Sequence, residues 1–154
     1  MQIKPEVQTL LSKCIDILQS APLGSVIISE FEKANILIQS AGDSPTHYTN
    51  RFNDEATGVQ RPAVLLSNQM GSMSKDSGAI REACSMIAHE MIHALHATEN
   101  GPDFKFRNTS EPDRREFDNQ EEELTITGRS GRFEDPRNEN AIRQELGLPP
   151  RSKH

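Results

Sequence analysis

The chain has 154 residues, of which 34% are apolar and 26% charged, and a formal net charge of −6. That length supports one domain, residues 1–154, with a modest core and long polar loops. The acidic balance excludes a nucleic-acid surface, which needs clustered Lys and Arg, and no window is apolar enough to cross a bilayer.

Residues 5–20 read as an amphipathic helix, with Val7, Leu10, Leu11, Cys14, Ile15 and Leu18 on one side. Charged residues interrupt the apolar stretch of this segment, which therefore lacks the layout of a cleaved signal peptide. Pro22-Leu23-Gly24 is read as a break, followed by a short helix over 25–33 with Val26, Ile27 and Phe31 inward. Short strands fall between residues 35 and 67: one at 35–39, and a fully apolar one at 62–67 that includes Leu65. Pro62 suits the first position of a strand. Residues 44–60, containing His47 and Tyr48, are polar and read as turns, and 68–76 read as a loop.

Residues 77–98 contain no proline, and Gly78 falls in the first turn, so a long helix is expected. Ile80, Cys84, Ile87, Ala88, Met91 and Leu95 form an apolar stripe at helical period. Across from it lies His89-Glu90-Met91-Ile92-His93, an HExxH pattern. Two histidines at i and i+4 stand one turn apart on one face, so both imidazoles reach one metal ion, and the Glu between them can act as a base toward water. Asn100-Gly101-Pro102 supplies a stop signal. Cys14 and Cys84, both on predicted apolar helix faces, are read as buried thiols, neither disulfide-bonded nor ligating, which fits a reducing compartment.

A catalytic zinc site takes three protein ligands. His96 shares the histidine face but would have to bend back across the metal, so a supporting role suits it better. Residues 100–119 read as a long charged connection, and 120–127 as a helix opening with Glu121-Glu122-Glu123. Acids favour a helix start through the macrodipole, yet three in succession exceed that need. On a helix they point about 100° apart, so one can ligate. Glu122 is the first choice and Glu123 the alternative. A flexible loop at 129–138 precedes a short helix at 139–147, and the final residues, RSKH, read as frayed.

The blocks HEMIHALH, EEELTITG and NENAIRQELGLPPR, in that order, resemble the NleD-type family of bacterial effector zinc metalloproteases, a module also found as C-terminal toxin domains of Rhs-type proteins. The resemblance implies an α+β, zincin-like fold: a small mixed or antiparallel sheet packed on the HExxH helix, with a second helix supplying the third ligand. It implies Zn2+ held by His89, His93 and an acid at Glu122 or Glu123, with Glu90 as general base. Glu139, Asn140, Arg143 and Arg151 match the family's C-terminal motif. Family members often carry a Tyr soon after that last Arg, and this chain has RSKH there instead.

Arg143 is a candidate for oxyanion binding or, equally, for an ion pair locking the last helix. Tyr48 and Leu65 are candidate substrate-binding residues, and the strand at 62–67 is expected to offer a sheet edge to an extended peptide. The expected partners are a protein substrate in the target cell and an immunity protein or secretion chaperone, with neither nucleic acid nor membrane. A monomer is expected, secreted by a specialised bacterial system without a cleaved leader and acting in the target-cell cytoplasm. Three other readings stay open: a non-catalytic interaction module with a structural zinc, a zinc amidohydrolase on a non-peptide substrate, and a toxin or effector that binds its target and acts without cleavage. Deformylases place an upstream Cys as third ligand, whereas Cys84 lies on the HExxH helix itself.

Overall fold

The computed structural model describes residues 2–154. Helices α1 (Pro5–Gln19) and α2 (Pro22–Lys33) both carry Pro in their first turn, where a missing N–H costs nothing. Pro22-Leu23-Gly24 therefore starts α2 rather than separating it from α1. Gly24 lies against the backbone of Leu18, where a Cβ has no room, which lets the two helices turn sharply. Ile27, Ile28 and Phe31 face the core, while Val26 is exposed, contrary to its expected inward position.

Strands β1 (Leu37–Ser40), β2 (His47–Asp54) and β3 (Val59–Leu66) form a mixed sheet in the order β1-β3-β2. β1 runs parallel and β2 antiparallel to β3. The segment 44–60, expected as turns, thus contains all of β2. Its residues HYTNRFND give no apolar alternation because β2 is an edge strand with much of its length exposed. The strand at 62–67 is not an edge. β3 is the middle strand, paired on both sides, and its near-continuous apolar run reflects that burial.

A 3-10 segment (Asn68–Ser74) leads into α3 (Ser77–Glu99), capped by the Asp76 carboxylate, which accepts from the N–H of Ala79 at 2.8 Å. The apolar stripe of α3 packs on α1, α2 and the sheet. Its histidine face is buried as well, because later elements fold over it. Cys14 of α1 and Cys84 of α3 are joined by a disulfide, which corrects their reading as free thiols. Both project into the α1–α3 interface with Cα atoms 5.0 Å apart, within disulfide reach. Helical periodicity shows which face a Cys occupies but not what faces it.

Asn100 ends α3 and also starts α4 (Gly101–Asn108), accepting from the N–H of Asp103. The expected connection over 100–119 therefore begins with a helix. Helix α5 (Gln120–Thr127) is capped by Asn119, whose side chain accepts from the N–H of Glu122 at 2.9 Å. Gly128, at φ 85°, closes α5 and turns the chain into the two-residue strands β4 (Arg129–Ser130) and β5 (Phe133–Glu134). α6 (Glu139–Glu145) follows, packed on α3. The result is the α+β, zincin-like arrangement, with a small mixed sheet on one side of α3 and α5 on another.

Candidate active site

The α3 helix places His89 and His93 one turn apart, with Nε2 atoms 3.0 Å from each other. The Nδ1–H of His89 donates to Glu139 of α6 and that of His93 to Glu121 of α5, each at 2.7 Å. Carboxylates only accept, so these contacts put the proton on Nδ1 and leave the Nε2 lone pairs facing one another. Glu122 of α5 completes the triangle, its oxygens 3.2 Å from His89 Nε2 and 2.7 Å from His93 Nε2. Three electron-pair donors converge where none repels only if a cation sits among them.

In the protein alone a proton can fill that role. Burial opposes charge on His93, but Glu121 and Glu122 hold its pKa well above the usual imidazole value. His89 is likewise raised, against burial, by Glu122 and Glu139. Burial works against the charge of Glu122 too, yet the two imidazoles hold its carboxyl well below the usual range. A metal ion fits the same place. Ligand atoms about 2 Å from a tetrahedral zinc lie roughly 3.3 Å apart, close to the spacing of this triangle.

The three glutamates at the start of α5 separate completely. Glu122 faces the histidines. Glu121 is fully buried behind them, accepting from His93, His96, Thr125 and Arg107. Glu123 turns the other way, accepting from Ser130 at 2.6 Å and from the N–H groups of Asp113 and Arg114. Its carboxylate ties down the loop before α5.

His96 has a carboxylate on each nitrogen: Glu121 at 2.8 Å on Nδ1 and Asp135 at 3.1 Å on Nε2. It is buried, yet these partners hold its pKa above the ordinary value. It braces Glu121, with its Nε2 turned to Asp135 and away from Glu122. Asp135 in turn pairs with Arg137, which also grips Glu99 and Glu30.

Glu90 is different. Its side chain is 17% exposed, its Oε2 lies 3.9 Å from His89 Nε2, and among the described residues no hydrogen bond holds it. It stands where two clefts meet. One, of about 320 Å³, is lined by Met86, His89, Arg143 and Arg151 among others. The other, of about 380 Å³, is lined by His47, Tyr48, His93, Phe104 and Glu122. Tyr48 meets Phe104 edge-on at 5.9 Å, and burial pushes its phenol up to about 12. Leu65 takes no part in either lining; it is half-buried in the middle strand, opposite His47.

Arg143 is buried and committed. It donates to both oxygens of Glu82 at 2.8 and 3.1 Å, to Ser85, and to the carbonyl of Pro149 at 2.6 Å. Although it borders the cleft, these bonds make it a clamp between α6 and α3. The rest of the C-terminal motif serves the same end. Arg151 pairs with Glu139 at 2.8 Å, and Asn140 exchanges two hydrogen bonds with the Arg151 backbone. Cys84 points into the disulfide and away from the histidines, so a deformylase-like Cys ligand is absent.

The segment 151–154, expected as frayed, returns to the site. The backbone N–H of His154 donates to the carbonyl of Glu116, and its ring stacks parallel to His89 at 5.7 Å between centroids. Sequence reasoning missed His154, as it missed the buttressing roles of Glu121 and Asp135. The only mark of His154 in the sequence is its place three residues after Arg151 of the C-terminal motif.

A scaffold of this kind, with an imidazole pair on its central helix and a carboxylate delivered from a second helix, defines the class: the α+β, zincin-like fold of metallopeptidase families. The chain belongs to one such family. Residues 1–154 match peptidase M91, whose description is effector protein, the NleD-like family that the sequence blocks resemble. No curated protein and no solved structure gives a match.

Proposed function

We propose that this chain is a zinc-dependent endopeptidase, with His89, His93 and Glu122 as metal ligands and Glu90 as the general base. The observation that carries the reading is the convergence of the two Nε2 atoms and the Glu122 carboxylate, each histidine backed by its own buried acid. Two imidazoles and one carboxylate suit zinc and leave a fourth position for chemistry. When bound, zinc supplies Lewis acidity toward a carbonyl and toward water near neutral pH.

The chain's own residues supply the rest. Glu90, unheld and beside the histidines, takes the proton of the attacking water and hands it to the departing amine as the C–N bond breaks. Tyr48 stays protonated at working pH, so its hydroxyl can donate to a substrate carbonyl. β2 is the free edge of the sheet beside Glu90 and offers unpaired backbone groups to an extended peptide, the role first expected of residues 62–67. Arg143 holds α6, and with it Glu139, against the back of His89. Family membership as an effector supports delivery by a specialised secretion system and action on proteins of the target cell.

The test is cleavage of protein and peptide libraries by the zinc-loaded chain, read as new termini by mass spectrometry. Glu90→Gln should lower the rate by about 10²- to 10⁴-fold, the usual contribution of a general base, with zinc content unchanged. Undiminished cleavage by that variant would contradict the mechanism.

A further inference from the structure

Three histidines, not two, direct Nε2 at Glu122. Besides His89 and His93, His154 Nε2 lies 3.4 Å from Glu122 Oε2. His89, Glu122 and His154 each present one ligand atom, all within 4.8 Å of one another. The supporting pattern repeats. His89 has Glu139 on Nδ1, His93 has Glu121, and His154 has Asp118 at 2.9 Å. A carboxylate on Nδ1 fixes the proton there and leaves Nε2 as a lone pair, the form that binds metal. His96 differs: its Nε2 is turned to Asp135 and not to Glu122, so it stands outside the cluster.

The same residues that brace His89 deliver His154. Arg151 binds the Glu139 carboxylate behind His89, and Asn140 fixes the Arg151 backbone three residues before His154. Yet His154 differs from the inner pair in one respect. The side chains of His89 and His93 are 3% and 7% exposed, whereas His154 is 36% and its Asp118 partner 62%. His154 also borders both clefts that meet at Glu90.

We propose that His154 is a fourth, displaceable ligand: its Nε2 caps the metal centre, and a substrate carbonyl entering between the clefts takes its place. The proposal rests on the zinc site argued above.

The experiment uses the full chain loaded with cobalt(II), whose visible spectrum reports ligand number and type, in wild type, His154→Ala, Asp118→Asn and His93→Ala. His154→Ala should still bind one cobalt, about tenfold more weakly, with weakened and shifted bands. Asp118→Asn should move both readouts in the same direction by less. A simple hydroxamate, which ligates through oxygen, should shift the wild-type spectrum to that of hydroxamate-treated His154→Ala. Identical spectra and affinities for wild type and His154→Ala would overturn the proposal and leave the three-ligand site standing. A wild-type spectrum that ignores hydroxamate while His154→Ala responds would overturn displaceability and mark a closed, structural site. Absence of cobalt binding, or unchanged binding by His93→Ala, would overturn the metal site itself and the capping role with it.

Discussion

Glu121, Glu122 and Glu123 are neighbours of one type, and their places on α5 give them three unrelated roles. Periodicity restricts ligation to one of them, with Glu122 the first choice and Glu123 the alternative. It does not show that Glu121 holds His93 and His96 together or that Glu123 fastens the preceding loop, because those partners lie 25 to 28 residues upstream or on a different segment. His89, Glu90 and His93 were legible because their geometry is local to a single helix. His154 was not: nothing near it in sequence resembles a ligand helix, and its approach depends on Glu139 and Asn140. The buttress behind His93 has a measurable consequence. Glu121→Gln keeps the shape but weakens the acceptor for four donors, so zinc affinity should fall by about 10- to 100-fold, the usual effect of losing such a partner. Competition with a chelator measures it, and an unchanged affinity would remove Glu121 from the site's support.

At the scale of elements, the sequence reveals those with a buried face and hides those without one. α1, α3, α5, α6 and the middle strand carry apolar periodicity or caps and were readable. β2 is a half-exposed edge of polar residues, and α4 begins on the Asn-Gly-Pro signal that also ends α3, so the sequence of both reads as loop. The disulfide between α1 and α3 belongs here too, since it ties the amino-terminal helix to the helix of the site across 70 residues. Closing a loop of that length stabilises by about 4 kcal/mol in the chain-entropy picture. Cys14→Ser/Cys84→Ser, or reduction of the wild type, should lower the urea midpoint accordingly while leaving zinc content intact. Equal midpoints with and without reductant would show that the bond adds nothing to stability.

For the whole molecule, the site concentrates buried acids and imidazoles, and this couples stability to pH. The raised pKa values of His89, His93 and His96 mean that, without metal, the stability they contribute is fully present below their unfolded value of 6.5 and lost as pH rises through the folded values. The depressed carboxyls of Glu121 and Glu122 contribute above their unfolded value of 4.5 and lose that contribution as pH falls. Metal-free protein should therefore have its highest urea midpoint between pH 4.5 and 6.5 and weaken on the alkaline side. Zinc should reverse the alkaline decline, because neutral imidazoles are its ligands. A metal-free midpoint that climbs steadily toward alkaline pH would contradict the charge arrangement.

The most direct test of the account is elemental analysis of zinc in purified wild type, His93→Ala, Glu90→Gln, Glu122→Ala and Glu123→Ala. The geometry predicts one zinc per chain in wild type, Glu90→Gln and Glu123→Ala, and its loss in His93→Ala and Glu122→Ala. A wild type that takes up no zinc after reconstitution, or zinc retained by Glu122→Ala and lost by Glu123→Ala, would contradict it.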